Sequence, residues 1–547
     1  MAVIEVSPIL FKKLINRDIA ELEEVFMNLK CELEISDKVK VEIKDFYRPD
    51  LYSIAGIVRE IKGFLGIETG IPKFKINHGN YEIYVDKELE NIRPYIVSAV
   101  IENINLDDDI LSDLIQFQEK VTQSFGRNRK KIAIGIHNKD LIKFPVYYKA
   151  VKPNEIKFIP LKSNKEMNLI QILDETETGK KYRHLVEKFD KFPILVDSRG
   201  KVISFPPIIN SNDIGNVTPK TKSIFLDITG DDLEILLLTL NFFVLNILEY
   251  GGELYSVKII YPDFEIITPK LEIIRKTFDL NKVKGIVGEI DEKNIIELLK
   301  RARMNAYIEN NKLIVEYLNY RKDIISEQDI AEEILMRYGY NKIKPTMNFS
   351  YTKGKLSKRR KLINYVRELF VSLGAIEIYT PTLTSKDIND LIDFKGKSIE
   401  LLNYVSTNYN SIRKSLLSSF LQLLSSSLEL EFPAKIFEIG RIAYLDDSKV
   451  IEEDRVLYIY SDYSINFNNA KSVLERIFHE LNVNYDISES NYKFLIEGRQ
   501  GNILFKDKIV GWIGEINPFI LEKLNIKYPL VGFEIGLDIL KEIKDDI

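Results

Sequence analysis

The sequence is short of the residues from which several common kinds of site are built. It has one cysteine, Cys31, in 547 residues, so an internal disulfide and a cysteine-based zinc cluster are both excluded. A chain without disulfides suits a reducing compartment, and we expect a cytoplasmic protein. We find no Gly-x-x-x-x-Gly-Lys-Ser/Thr phosphate loop, no His-Glu-x-x-His motif and no Gly-x-Ser-x-Gly nucleophile elbow.

The chain also lacks a surplus of positive charge and a membrane-spanning segment. The sum of lysine and arginine is 77 and that of aspartate and glutamate is 82, a net charge of −5, so any contact with nucleic acid must come from a local patch. The most apolar stretch, residues 235–248, is shorter than the ~20 residues that cross a bilayer. It predicts a buried helix and no membrane contact. The first residues lack the long apolar core of a signal peptide.

The composition is that of a globular protein with several cores, since 45% of the residues are hydrophobic and 29% are charged. Hydrophobic periodicity predicts an α+β multidomain chain. We expect a small α/β unit at 1–88, a mixed α/β domain at 89–270, a second small α/β unit at 271–346, and an α+β domain with an antiparallel sheet at 347–547.

A 20-residue pattern occurs twice without a gap, from Tyr47 and again from Tyr320, an offset of 273 residues. Each copy reads Tyr-Arg-x-Asp, then a serine suited to cap a helix, an apolar helical stripe, and a glycine suited to a left-handed helix end. The two small units are therefore predicted to share one fold.

Four acids in the second copy are the sharpest candidate site. Asp329 shares a helix face with Glu332 and Glu333, and Asp323 lies just before that helix. Converging carboxylates repel each other unless a hard cation neutralises them, and oxygen ligands suit Mg²⁺. The alternative is that Asp329 completes a capping box and that both glutamates are solvated. The first copy, with Gly56 and Arg59 at the positions of Asp329 and Glu332, shows that the fold does not require those two acids.

Residues 201–213, KVISFPPIINSND, are a second candidate. A strand runs into Pro206 and Pro207, which fix the backbone, and Asn210 and Ser211 follow. Rigid backbone beside small polar groups suits a ligand pocket, although a proline-stiffened turn explains the same pattern. His137 follows a predicted strand and is either a catalytic histidine or a structural one whose hydrogen bonds are satisfied. The basic segment 353–361 is either an RNA contact or a solvated helix start.

These residues resemble a known family, the β subunit of phenylalanyl-tRNA synthetase in its archaeal and eukaryotic form. The resemblance covers nearly the whole chain, in order. It is carried by the segments YRPDL, IRPYIVSAVIENI, AIGIHNKDLI, IKFIPL, FPILVDSRGKVISFPPIINS, IFLDITGDD, YRKDIISEQDIAEEILMRYGYNKI, SIRKSLLSSFL, FEIGRIAYLDD and GWIGEINP.

The resemblance implies a phenylalanine–tRNA ligase subunit that pairs with a catalytic α subunit as an (αβ)2 heterotetramer. The α subunit would bind ATP and phenylalanine and charge tRNA(Phe), while the 89–270 domain would hydrolyse tRNA(Phe) mischarged with tyrosine. The resemblance also implies Mg²⁺ bound by Asp323, Asp329, Glu332 and Glu333. The 347–547 domain would be a class II synthetase-like antiparallel sheet domain that has lost its catalytic residues.

Two features of the sequence bear on these implications. A class II site holds a triphosphate with arginines, but the late strand at 532–540, GFEIGLDIL, has none, and Arg441 alone is a poor clamp. A site that bonds the tyrosine hydroxyl can prefer tyrosine over phenylalanine by ~10⁴-fold, because phenylalanine leaves its polar groups unpaired. The candidates for lining such a pocket are His137, Asn210, Ser211, Asp227 and Thr229. Many relatives have a glutamate at the position of Asp227, so the sequence does not identify the residue that binds the tyrosine hydroxyl.

Two other functions remain as hypotheses. One is a stand-alone module that grips structured RNA, with 353–361 in its basic surface, and does no chemistry. The other is a self-sufficient ligase, against which the missing arginine argues. Deacylation of tyrosyl-tRNA(Phe) separates the first from an editing subunit, and ATP–pyrophosphate exchange by the chain alone would indicate the second.

Overall fold

The computed structural model describes residues 2–345, 347, 352–426 and 430–537. By its internal contacts the chain divides into two units, Met1–Met347 and Asn348–Ile547. The described residues of the first unit form four sheets and those of the second form two. The finer boundaries at 88, 270 and 346 stay predictions.

The first and last small sheets of the first unit have the same construction. The N-terminal copy consists of β1 Ala2–Val6, α1 Pro8–Ile15, α2 Glu23–Asn28, β2 Cys31–Ile35, β3 Val39–Ile43 and α3 Ile54–Phe64. Elements are numbered in chain order, so those of the copy at the end of the unit follow the central elements and are α8 to α10 and β16 to β18. It consists of β16 Ile273–Asp279, α8 Leu280–Val287, α9 Glu292–Arg301, β17 Asn305–Glu309, β18 Lys312–Leu318 and α10 Glu327–Tyr338.

Both copies run strand, helix, helix, strand, strand, helix, and in both antiparallel sheets the third strand lies between the other two. Ser53 and Ser326 cap the last helix of each copy. Gly66 and Gly339 follow these helices with φ of +73° and +95°, a region that favours glycine. The two small units therefore share one order of elements and one order of strands.

The central part of the first unit is a ten-stranded mixed sheet in the order β12-β11-β10-β7-β4-β14-β5-β13-β6, with β15 paired to β14. Its elements, with the short β8–β9 ribbon, are β4 Ile76–Val85, β5 Tyr95–Glu102, α4 Asp108–Gln123, β6 Ile132–Asn138, β7 Val146–Val151, β8 Lys157–Phe158, β9 Met167–Asn168, α5 Leu169–Glu175, α6 Glu177–Tyr182, β10 Phe192–Val196, β11 Val202–Phe205, β12 Ile209–Asn210, β13 Ile224–Gly230, α7 Leu233–Leu248, β14 Glu253–Ile260 and β15 Glu265–Thr268.

The apolar stretch around 235–248 lies in α7, which packs on β5 and β13. Leu236, Leu240, Phe242, Phe243 and Leu245 are buried in the core, and the other leucines of the helix are partly buried against it, which confirms the prediction of a buried helix. Among the described residues, no helix combines the length and the apolar character needed to cross a membrane.

Asp113 of α4 ties three helices together inside this core. One of its carboxylate oxygens accepts a hydrogen bond from the backbone N–H of Ile54, 3.0 Å away, at the start of α3, and the other accepts one from the hydroxyl of Tyr250, 2.5 Å away, just after α7. Burial raises the pKa of Asp113 to about 6, against the opposing effect of these two bonds. The ionised carboxylate is therefore a source of instability at neutral pH.

Replacing Asp113 with asparagine is expected to stabilise the fold above pH 6. The folded pKa lies above the ordinary 3.8, so stability falls as the pH rises from about 4 to 6, and the uncharged amide escapes this loss. Its oxygen can accept from the N–H of Ile54, and its nitrogen can donate to the hydroxyl oxygen of Tyr250. The free energy of unfolding at pH 7.5 should rise by up to about 3 kcal/mol. Urea unfolding at pH 7.5 and pH 4 measures the difference, which should vanish at pH 4. Asp108→Asn, on the exposed first turn of α4, is the control, and destabilisation by Asp113→Asn at pH 7.5 would contradict the argument.

The second unit is built on a seven-stranded sheet in the order β19-β23-β24-β28-β27-β26-β25, antiparallel except for β19 with β23, and has a small sheet β20-β22-β21. Its elements are α11 Lys358–Ser372, β19 Ile376–Glu377, β20 Leu383–Thr384, α12 Lys386–Leu391, β21 Ile399–Glu400, β22 Ser411–Ile412, α13 Leu416–Ser425, β23 Ala434–Asp446, β24 Lys449–Ser461, α14 Phe467–Glu480, β25 Asp486–Ser488, β26 Leu495–Phe505, β27 Lys508–Ile516, α15 Pro518–Lys523 and β28 Val531–Gly536. Helices α11 and α14 cover one core and α13 and α15 the other, as expected for an α+β domain.

Short 3₁₀ helices complete the described chain, at Ile19–Leu22, Pro49–Leu51, Lys87–Leu89, Lys139–Leu141, Arg183–Leu185, Tyr340–Lys342 and Thr407–Tyr409.

Candidate functional site

A cavity of about 580 Å³ lies against one face of β6 and β13 in the central sheet. The loop at 204–210 and the segments at 161–163 and 175–178 form its other walls. Of the residues predicted for a pocket, Asn210, Asp227 and Thr229 line the cavity, whereas His137 and Ser211 do not. Asp227 and Thr229 are two residues apart on β13 and lie on the same face of the sheet, because side chains alternate along a strand.

The position of Asp227 is fixed by its neighbours on β6. Asp227 pairs in register with Gly135, and His137 follows two residues later on the same face. His137 is fully buried and donates a hydrogen bond from Nε2 to Oδ1 of Asp227, while its Nδ1 has no partner among the described residues. A Cβ atom at Gly135 would lie 2.3 Å from Oδ1 of Asp227 and 2.4 Å from Nε2 of His137. Glycine is thus required for the pair to form.

Thr229 is held by a buried arginine behind the cavity. Arg93 donates from Nε to the Thr229 hydroxyl over 2.9 Å and from Nη2 to the Thr229 carbonyl over 2.5 Å. Burial lowers the pKa of Arg93 from its ordinary value. Among the described residues no carboxylate pairs with Arg93, which leaves a buried positive charge beneath the strand that carries Asp227.

The loop with the two prolines forms the wall opposite the sheet. Pro206, Pro207 and Asn210 line the cavity, so the predicted rigid segment does border a pocket. Ser211 is 1% exposed, and its backbone N–H donates to the carbonyl of Ile203 over 2.9 Å. Its hydroxyl accepts from the N–H of Asp213. In this arrangement Ser211 holds the shape of the loop rather than facing the cavity.

Among the residues of the cavity wall that the sequence analysis did not predict, Gly135 and Arg129 have a functional role in this arrangement. Gly135 lies in a strand, where a glycine often marks a close approach of a neighbouring group. Arg129 lines the cavity and comes from the basic segment GRNRKK between α4 and β6. That cluster of positive charge is the signal from which Arg129 could have been found.

Two of the acids predicted to bind Mg²⁺ have separate partners. Asp329 accepts hydrogen bonds from the N–H of Ile325 at 2.8 Å and of Ser326 at 2.7 Å, the capping box that was the alternative explanation. Glu332 forms an ion pair with Lys30 over 2.6 Å. Each carboxylate is therefore already engaged by a group of the chain.

The other two predicted acids, Asp323 and Glu333, share an arginine. Arg321 donates from Nη2 to both, over 2.6 Å in each case, and Arg337 lies 3.2 Å from Glu333. Among the described residues no three acids, histidines or cysteines are arranged to hold a metal ion. In this arrangement the four acids are not grouped as metal ligands, because each carboxylate has at least one oxygen bonded to an arginine, a lysine or a backbone N–H group.

The first copy of the repeat contains the same ion pairs at the same offset. Arg48 bonds Asp50 over 2.8 Å and Glu60 over 2.9 Å, which are the positions of Arg321, Asp323 and Glu333. The copies also contact each other through an ion pair between Arg337 and Glu60. Together they form a largely buried network of four positive and four negative side chains: Arg48, Arg59, Arg321, Arg337, Asp50, Glu60, Asp323 and Glu333.

The arginines of the second unit's large sheet are neutralised within the described chain. Arg455 of β24 lies 2.7 Å from Glu453 and 2.8 Å from Glu534. Arg413, which follows β22 of the small sheet, lies 2.7 Å from Glu438 on β23. The Arg455–Glu534 and Arg413–Glu438 pairs are buried. Arg441 lies 3.2 Å from Asp454. Glu534 is on β28, the late strand in which an arginine was sought; residues 538–540 of that segment lie outside the described residues.

The comparisons with known proteins agree along the chain. Residues 276–340 match the family model of the tRNA synthetase B5 domain, and residues 343–537 match that of the phenylalanyl tRNA synthetase beta chain CLM domain. Curated relatives named phenylalanine–tRNA ligase beta subunit include that of Pyrococcus abyssi, 39% identical over 97% of this chain and 98% of the relative, and that of Sulfurisphaera tokodaii, 37% identical over 96% of each.

A solved structure supports the same assignment. The crystal structure of an N-terminal fragment of the phenylalanyl-tRNA synthetase β-subunit from Pyrococcus horikoshii is 42% identical to this chain, with a TM-score of 0.60. The match covers 62% of this chain and all of that fragment. The chain therefore belongs to the family of phenylalanine–tRNA ligase β subunits and is a subunit of an aminoacyl-tRNA synthetase.

Proposed function

We propose that this chain proofreads for a phenylalanine–tRNA ligase, hydrolysing tyrosyl-tRNA(Phe) in the cavity on β6 and β13, and supports ATP-dependent charging of tRNA(Phe) on an α subunit. The observation that carries the proposal is Asp227. Its Oδ1 is held by buried His137, and its Oδ2 has no hydrogen-bond partner among the described residues although the side chain lines the cavity.

An acceptor in this position suits the distinction between tyrosine and phenylalanine. A tyrosine ring that enters the cavity can donate its phenolic O–H to Oδ2 of Asp227. A phenylalanine ring would leave that buried oxygen unpaired, and an unpaired buried polar group is costly. Such a site prefers the substrate that carries the hydroxyl.

Hydrolysis in this cavity needs only a positioned water. The water oxygen attacks the ester carbonyl carbon, and the carbon–oxygen bond to the terminal ribose breaks. One proton of the water passes to the ribose oxygen, the other is released to solvent, and tyrosine leaves as a carboxylate. Among the described residues His137 bonds Asp227 and no serine or threonine hydroxyl, so it activates no nucleophile of the serine–histidine type in this cavity. Polar groups of the cavity wall, such as Asn210 and Thr229, would orient the water.

The second unit supports dependence on a partner. Its sheet arginines are paired with carboxylates, which argues against a triphosphate clamp and favours ATP and phenylalanine on the α subunit of an (αβ)2 assembly in the cytoplasm. Tyr379, Leu402 and Val405 are 84%, 98% and 106% exposed, and exposed apolar side chains of this kind are typical of surfaces that a partner covers. Residues 353–361 of the basic segment are all exposed, and Arg359 among them pairs with Asp454. We keep tRNA as the proposed partner of this segment.

Magnesium at Asp323, Asp329, Glu332 and Glu333 stays a proposal that rests on the family resemblance. Binding would require the ion pairs of these acids to open, and no step of the proposed hydrolysis uses the ion.

The test is deacylation by the chain purified with its α subunit. We expect tyrosyl-tRNA(Phe) to be hydrolysed with a kcat/KM about 10⁴-fold above that of phenylalanyl-tRNA(Phe). An RNA-binding module would leave both esters intact, which would refute the editing function. ATP–pyrophosphate exchange by this chain alone would refute the assignment of activation to the partner.

A further inference from the structure

The loop between α4 and β6 has an unusual backbone. Three consecutive residues, Arg127, Asn128 and Arg129, have φ values of +49°, +53° and +65°, a left-handed region that costs a non-glycine residue about 1 kcal/mol or more. Gly126 precedes them where a Cβ atom would lie 2.7 Å from the carbonyl oxygen of Thr122 and 2.8 Å from that of Ile132.

Hydrogen bonds hold this loop in place. The N–H of Arg129 donates to the carbonyl of Thr122 over 3.0 Å, and the N–H of Lys131 donates to the carbonyl of Gly126 over 2.9 Å. A strained backbone conformation that is stabilised in this way is characteristic of functional sites, where it fixes the direction of a side chain. Here the aimed side chain is that of Arg129, which lines the cavity, whereas Arg127 is exposed and does not.

The guanidinium of Arg129 is anchored but not neutralised. Its Nη1 donates to the carbonyls of Pro207 at 3.0 Å and Ile208 at 2.8 Å, and the group lies 4.4 Å from the centre of the Tyr182 ring. None of the described carboxylates lies within ion-pair distance. Burial lowers the pKa of Arg129 from its ordinary value, because a partly buried cation without a counter-charge is disfavoured.

The cavity wall carries both signs of charge. Besides Arg129 it includes Lys162, and the acids are Glu119, Glu175, Glu177 and Asp227. An aminoacyl-RNA ester also carries both signs, since its amino acid has an α-ammonium group and its RNA has phosphodiesters. The acids suit the ammonium group, and a planar guanidinium suits the oxygens of a phosphodiester.

We propose that Arg129 binds a phosphodiester of the RNA acceptor end whose aminoacyl ester occupies the cavity. The proposal rests on the proposed editing function and adds the residue that positions the nucleic-acid part of the substrate. Contacts to phosphate set register and orientation without reading sequence. The hydrogen bonds of the loop at 126–131 fix its backbone. The carbonyls of Pro207 and Ile208 and the ring of Tyr182 hold the guanidinium of Arg129 at the cavity wall.

Arg129→Gln tests the proposal in the chain purified with its α subunit, with Arg127→Gln as the matched control from the same loop. For tyrosyl-tRNA(Phe) we expect Arg129→Gln to lower the kcat/KM of deacylation about 10- to 100-fold, mainly through KM, and Arg127→Gln to stay within about twofold. The dependence of log kcat/KM on log salt should become shallower by about 0.7 for Arg129→Gln, as expected for the loss of one phosphate contact.

A second substrate separates phosphate binding from support of the proline loop. Adenosine esterified with tyrosine has the ester but no phosphodiester, so Arg129→Gln should hydrolyse it within about twofold of the unaltered complex. An equal loss on both substrates would overturn the proposal, since the arginine would then act only through the loop. Full activity of Arg129→Gln on tyrosyl-tRNA(Phe) would also overturn it. Failure of the unaltered complex to deacylate would instead refute the editing function itself.

Discussion

Replacing Asp227 with asparagine is expected to lower the kcat/KM for hydrolysis of tyrosyl-tRNA(Phe) by about 100-fold, the scale of one hydrogen bond to a charged group. The amide oxygen can still accept from His137, so the pair behind the cavity persists. The amide nitrogen then faces the cavity, where it cannot accept the phenolic hydrogen. Hydrolysis of phenylalanyl-tRNA(Phe), which makes no such bond, should change little, and net mischarging with tyrosine should rise.

The control is Asp231→Asn, four residues farther along the chain. Asp231 is 44% exposed, pairs with Lys131 over 3.1 Å and does not line the cavity, so the same substitution there should leave deacylation unaltered. Phenylalanine activation, followed by ATP–pyrophosphate exchange, should stay constant in both variants. Deacylation of tyrosyl-tRNA(Phe) by Asp227→Asn at the unaltered rate would remove Asp227 from the reading of the hydroxyl.

Replacing Glu60 with alanine is expected to cost about 3–5 kcal/mol of unfolding free energy, because removal of one partner leaves buried charge without compensation. Glu60 is 1% exposed and contacts both Arg48 and Arg337. Without Glu60, this largely buried network would contain four arginines and only three acids. Urea unfolding followed by circular dichroism, or hydrogen exchange of α3 and α10, measures the loss.

Glu332→Ala is the matched control, since Glu332 also forms an ion pair but is 46% exposed, and such pairs contribute ~1 kcal/mol or less. Burial raises the pKa of Glu60, but Arg48 and Arg337 outweigh it and lower the pKa to about 2. The contribution of Glu60 is therefore present above about pH 4.5 and is lost as the pH falls towards 2. Equal destabilisation by the two substitutions would contradict this account of the network.

Much of the fold was predictable because its signals are local. The gap-free repeat predicted two related units, and the capping serines and terminal glycines mark the last helix in both copies. The apolar stretch of α7 was correctly assigned to a core because Thr239, Asn241 and Asn246 interrupt it. The alternation of apolar residues in the second unit predicted its sheet, but not that β19 pairs parallel to β23, since pairing depends on contacts far apart in the chain.

The site was harder to predict because its chemistry depends on which side chains meet. The spacing placed four acids near one end of a helix: Asp323, Asp329, Glu332 and Glu333. It could not show that arginines from both copies, and Lys30, form ion pairs with these acids. Sequence also could not show that His137 lies behind Asp227, because that contact requires β6 to pair with β13 in one register. Asn210 was predicted because it follows the two prolines that stiffen its segment, and Asp227 and Thr229 were predicted from the family resemblance.

The shared charge network has a consequence for how this part of the molecule can change over generations. The pairs Arg337–Glu60 and Arg48–Glu333 join the two copies, so an inherited loss of charge at one of these four residues leaves an imbalance that a change in the other copy can correct. We therefore expect the residues of the two copies to change together in evolution. A recombinant protein in which one copy is replaced by that of a distant relative would have mismatched charges where the two copies meet.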